Sequence, residues 1–105
     1  METPQNPEGK IEKQRILEML KANGFEHPET KELVVRWTVQ REAEVEKENT
    51  SRATIIFNIE RSDLYIAAGD KEGAIQNLED ALDQADQENE KELQNQIVEK
   101  IKSLK

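Results

Sequence analysis

The chain has 105 residues, 23 of them acidic against 15 Lys and Arg, for a formal net charge of −8. That length leaves room for one domain, and the acidic balance argues against nucleic-acid or anionic-membrane binding. Cysteine is absent, which excludes disulfides, thiolate metal sites and thiol catalysis.

Hydrophobic residues are 34% and charged residues 36%, a composition that borders on disorder. The distribution argues for folding. Apolar residues recur at helical spacing, and glycine and proline fall mostly between the periodic segments.

Residues 1–8 carry two of the three prolines and no apolar pattern, so they read as a disordered arm. No basic stretch followed by an apolar one appears there, so no secretory leader is expected. No apolar run approaches the roughly 20 residues of a membrane helix. The expected location is the cytoplasm. Residues 9–105 read as a single all-helical domain.

The first helix is expected at about residues 10–23. Ile16, Leu17 and Leu20 share a face, with Met19 at its edge. Gly24 ends it, because glycine takes the left-handed position without steric cost. Ile11 falls on the opposite face, which leaves it to fraying or to a staple contact at the helix start.

Pro28 suits the first turn of a second helix, running to about Glu48. Leu33, Val35, Trp37 and Val39 alternate as in a strand. The flanks are strong helix formers with no turn signal between, and no second strand offers itself as a partner. Glu32 and Arg36 also make a favourable pair one turn apart. The spacing therefore predicts a helix with two apolar patches, Leu33, Val34 and Trp37 on one side and Val35 and Val39 on another.

Residues 49–51 break the pattern and can cap a third helix, about 51–68. Ala53, Phe57, Leu64, Ala67 and Ala68 form one stripe; Ile55, Ile59 and Ile66 form another. A helix apolar on both sides is buried on both sides, so this one is expected at the centre. Gly69 ends it and Asp70 caps the fourth helix, about 71–85. There Ala74, Ile75, Leu78, Ala81, Leu82 and Ala85 make a single stripe. Asn89 with Glu92 reads as a capping box opening a fifth helix. That helix carries Leu93, Ile97, Ile101 and Leu104 on one face, with Val98 beside them. Lys100, Lys102 and Lys105 complement its C-terminal dipole.

Residues 64–82 contain Tyr65, Gly69-Asp70, Ala74, Leu78, Ala81 and Leu82. This segment resembles the tetratricopeptide (TPR) helix-turn-helix unit over about residues 55–88, a single repeat of about 34 residues. Lys71 stands where a turn aromatic often follows, Ser62 takes the small position of the first helix, and Asp86 replaces the usual proline. Residues 53–105, ending Lys100-Ile-Lys-Ser-Leu-Lys105, are also similar to the three-helix MIT domains. Either resemblance implies a partner-binding module. The carboxylate clamp of chaperone-type TPR proteins is not expected, because Ile59 and Asp63 stand at the matching positions. Gly-Asp-x-x-x-Ala also reads simply as a good turn between helices.

No catalytic, cofactor-binding or metal-ligating set stands out. His27, the one histidine, adjoins Pro28 without a nucleophile or acid cluster. Ser51, Ser62 and Ser103 lack a nucleophile-elbow context. Asp86, Glu88 and Glu90 alternate as a calcium loop would begin, but Lys91 replaces the turn glycine and Ile97 the final glutamate. The run from Glu79 to Glu92 reads first as a solvated face. Its functional reading makes Glu79, Asp83, Asp86 and Glu90 a landing site for a basic segment. Ile55, Ile59, Tyr65 and Ile66 are candidates to line an apolar groove, with core packing against helix two as the competing reading. Trp37 and Phe57 read as core anchors.

The expected architecture is an all-α antiparallel array of five helices with a TPR-like hairpin. The expected function is a non-catalytic adaptor that binds a helical or basic segment of another protein, without cofactor. The alternatives are a structural subunit that forms a homodimer through helix two, or a helical protein with no peptide-binding role.

Overall fold

A computed structural model describes residues 11–105. The arm expected at residues 1–8, and the first residue expected of the first helix, lie outside the described residues. The described chain is all-α, with helices α1 (Lys13–Asn23), α2 (Pro28–Glu48), α3 (Ser51–Ala67), α4 (Lys71–Gln87) and α5 (Lys91–Leu104).

The contested segment 33–39 lies inside the long helix α2. The burial pattern follows a turn of helix. Trp37 is buried and Leu33 and Val34 half-buried, while Val35 and Val39 face out, 56% and 60% exposed. Strict alternation would have put Val35 and Val39 on the side of Trp37. Thr38 Oγ1 donates to the Val34 carbonyl at 2.8 Å, so even its hydroxyl serves the helix.

α3 is the shared element. On one side Phe57 and Leu64 join Ile11, Ile16, Leu20 and Trp37 in a cluster with α1 and α2. On the other, Ile55 and Ile59 join Leu78, Ala81, Ala85, Leu93 and Ile97 of α4 and α5. The expected two-sided burial of α3 is therefore present. One detail differs: Ile55 and Ile59 pack on α4 and α5, not on α2. The reason lies in α4, where Ala74, Leu78, Ala81 and Ala85 are all fully buried. Alanines at that spacing let the α3 and α4 backbones approach closely and occupy that whole side. Ser62 is also fully buried and satisfies its hydroxyl on the Ile59 carbonyl at 2.6 Å.

Ile11 has a clear place. Glu12 is the N-cap of α1, so Ile11 precedes the cap and Ile16 is the fourth helical residue. Both belong to the same cluster, in the positions of a hydrophobic staple. The Ile11 N–H also donates to Gln40 Oε1 at 3.1 Å, tying the start of α1 to the middle of α2.

The turns that lead into the last three helices each contain a left-handed residue. Asn49, Gly69 and Asn89 all have positive φ, at 54°, 83° and 58°, and lie at intervals of 20 residues. After Gly69 the Asp70 N–H returns to the Tyr65 carbonyl at 2.8 Å; after Asn89 the Glu90 N–H returns to the Ala85 carbonyl at 2.8 Å. These are the long-range bonds of a Schellman turn. Thr50 and Asp70 then cap α3 and α4, accepting from Ala53 N–H and Gly73 N–H. The capping box expected at Asn89 is not formed. Asn89 closes α4 in the left-handed position, Glu90 is the N-cap of α5, and no side chain caps that end. Asparagine tolerates left-handed φ, and here that property is used in place of its capping oxygen.

Ion pairs reinforce α3 from three directions. Asp63 accepts from Lys13 of α1 at 2.7 Å and from Lys100 of α5 at 3.0 Å. Glu60 holds Arg41 of α2 at 2.7 Å, and Arg41 also reaches Glu44 at 2.9 Å. The Glu60 hydrogen bond keeps the Arg41 guanidinium more firmly protonated than an isolated arginine. Arg52 pairs with Glu90 at 2.7 Å across the start of α5.

Candidate protein-docking groove

The side chains expected to form a partner surface are dispersed. Ile55 is fully buried and Ile59 is 6% exposed, so neither lines an open groove. Tyr65 is half-buried and packs edge-on against Phe25, with ring centroids 5.3 Å apart. Ile66 alone of the four faces solvent, in the last turn of α3 and outside both clusters. Of the acidic candidates, Glu79 and Asp83 lie exposed along α4. Asp86 instead accepts from Gln94 Nε2 at 3.0 Å, and Glu90 is engaged by Arg52. The run is thus divided between a solvated helix face and a structured turn.

A different pair of helices encloses an open depression among the described residues. It holds about 570 Å³ between the second half of α2 and the first half of α3. Val39, Ala43, Val45 and Phe57 supply its apolar lining; Glu42 and Glu46 stand on the α2 edge, Thr54 and Asn58 on the α3 edge. Helix length explains it. α1 has 11 residues and α2 has 21, and the Ile11–Gln40 hydrogen bond marks where α1 begins alongside α2. From Val39 onward the valley between α2 and α3 is open among the described residues.

The floor of the valley is firm. Phe57 is 6% exposed, packs on buried Trp37 at 6.0 Å between ring centroids, and carries the Arg61 guanidinium 5.8 Å from its ring centre. The α3 edge is held as well, since Asn58 Nδ2 donates to Gln84 Oε1 at 2.9 Å. Glu42 and Glu46 are one helical turn apart and both exposed. Among the described residues no ion pair engages either of them.

Val39 was legible in the sequence as part of a second apolar side of helix two. The groove was not, because it depends on where α1 begins along α2. The triad Lys13, Asp63, Lys100 was likewise missed, since its members come from three helices; it occupies the very position where a carboxylate clamp was not expected. A second, smaller notch is lined by Ser51, Thr54, Gln84, Gln87 and Glu88 and is mainly polar. His27 is the N-cap residue of α2 without capping it; its Nδ1 lies 3.4 Å from the hydroxyl of buried Thr30. Among the described residues no group of three His, Asp or Glu is placed to hold a metal ion. No helix there is long and apolar enough to cross a membrane.

Comparison with protein-family models, with curated proteins and with solved structures gives no match.

Proposed function

We propose that this protein is a non-catalytic protein–protein interaction module that docks a helical segment of a partner in the α2–α3 groove. The observation that carries the proposal is the open valley itself. Val39, 60% exposed, stands above a floor that includes Phe57. Two helices side by side present a trough that fits the ridge of a third helix. Apolar side chains set in such a valley are a docking feature when they cluster, whereas single exposed ones are ordinary.

The α3–α4 pair supports reading this segment as a TPR-like hairpin. Left-handed Gly69, the Asp70 cap and Tyr65 against Gly73 are the supporting features. The 20-residue spacing of its turns is wider than a two-helix repeat of about 34 residues implies. The shared core of α3, α4 and α5 supports the MIT-like outline in the same limited sense.

A photo-crosslinking side chain at Ala43, introduced in the native host, tests the docking site. A discrete adduct from position 43 and none from Gln96 on α5 is the expected result. Equal labelling from both positions, or none from either, would count against the groove. A second reading, self-association through α2, rests on Val35 and Val39 being exposed one turn apart. Light scattering over a concentration series separates it by a doubling of mass.

A further inference from the structure

α1 shows what the valley between α2 and α3 accepts. It contacts both helices and seats Ile16 and Leu20 against Trp37, Phe57 and Leu64. Its charged residues are Lys13, Arg15, Glu18 and Lys21. One of those cations is already used across the valley, with Lys13 Nζ 2.7 Å from Asp63 Oδ2. The occupied half of the valley is therefore filled by an apolar-striped helix that places one cation against an acid of α3.

The open half is also apolar, with its acids on α2 instead of α3. Its lining is aliphatic and aromatic, from Val39, Ala43, Val45 and Phe57. Its charge is one-sided, with Glu42 and Glu46 on the α2 edge facing neutral Thr54 and Asn58 on the α3 edge. Resting on the helix-docking reading above, we propose that the partner segment is an amphipathic helix whose apolar stripe is flanked on one edge by two Lys or Arg residues a turn apart. Those cations lie over Glu42 and Glu46. The opposite edge of the partner helix is neutral. A second copy is the poorer occupant, because each chain carries a formal charge of −8 and would bring like-charged rims together.

The test uses the full chain and three labelled helical peptides with one common apolar stripe. Their edge pair is Lys, Gln or Glu, and binding is read by fluorescence anisotropy at low and high salt. Two exposed ion pairs predict that the Lys peptide binds about 3–30-fold more tightly than the Gln peptide at low salt, with the advantage shrinking as salt rises. The double variant Glu42→Lys/Glu46→Lys reverses the preference toward the Glu peptide. Both sites are exposed, and circular dichroism confirms that the variant keeps its helices. Equal affinity for all three peptides, abolished by Val39→Asp, would retain the groove and overturn the cationic partner. A Lys preference lost in Glu79→Lys/Asp83→Lys but kept in the groove variant would also overturn it, placing recognition on α4. Binding by none of the peptides would overturn the docking reading together with the inference. A mass that doubles with concentration and reverts in Val39→Asp would replace the partner helix by a second copy.

Discussion

Replacing Gly73 by alanine tests the tightest junction of the α3–α4 hairpin. Gly73 sits in the first turn of α4, where alanine gains about 1 kcal/mol of helix propensity. The added Cβ, however, would meet Asp70 Oδ2 at 2.7 Å and Tyr65 Cδ1 at 2.8 Å. Asp70 accepts from the Gly73 N–H at 2.9 Å, and displacing that cap costs about 1 kcal/mol. Tyr65 is pressed on its other side by Phe25, so moving its ring off the rotamer adds roughly 0.5–1.5 kcal/mol. The balance is a net loss of about 1 kcal/mol. For a domain of this size that lowers Tm by roughly 4–8 °C, measurable by circular dichroism at 222 nm. Gly69→Ala is the comparison. Nothing lies within 4 Å of its added Cβ, so its loss, about 1 kcal/mol, comes from the left-handed φ of +83° alone. Gly69→Asn should then recover part of the loss, and Gly73→Asn none. A rise in Tm for Gly73→Ala would refute the reasoning, because it would show that Tyr65 and the Asp70 cap give way freely.

Three further outcomes follow from the packing and the turns. Leu78→Ala, at a fully buried position between α3 and α5, should cost about 2–5 kcal/mol in urea denaturation. Asp63→Asn removes the shared partner of Lys13 and Lys100; both lysines are about a third exposed, so the loss should be only about 1 kcal/mol. That difference from the parent should shrink when denaturation is repeated in 1 M salt. Asn89→Gly relieves a left-handed residue at the end of α4 and should stabilise by about 0.5–1 kcal/mol, read as a higher urea midpoint with an unchanged slope.

Periodicity carried most of the fold because each helix announces its own face. The stripe Ala74, Leu78, Ala81, Ala85 and the glycine stops at 24 and 69 are local signals, and the chain follows them. The two-sided pattern of α3 was equally local, and it placed that helix at the centre. Which neighbour covers which side was not local. Ile55 and Ile59 are consistent with packing on either α2 or α4, and only the fit of the α4 alanines decides. Asn89 was misread because asparagine serves both as a capping acceptor and as a left-handed residue. The two uses share one sequence signature. Of the groove only Val39, on the second apolar side of α2, was legible. The groove's existence follows from the unequal lengths of α1 and α2. The ion pairs at Asp63 and Glu60 join residues far apart in sequence, which no window along the chain reveals.

The central claim is that a helix docks between α2 and α3, and amide chemical-shift mapping tests it most directly. On titration with the Lys-edged peptide, the account predicts shifts at Val39, Ala43, Thr54, Phe57 and Asn58, with the indole N–H of Trp37 responding through Phe57. Shifts confined to Glu79, Asp83 and Asp86 on α4, with the α2–α3 amides unmoved, would contradict it.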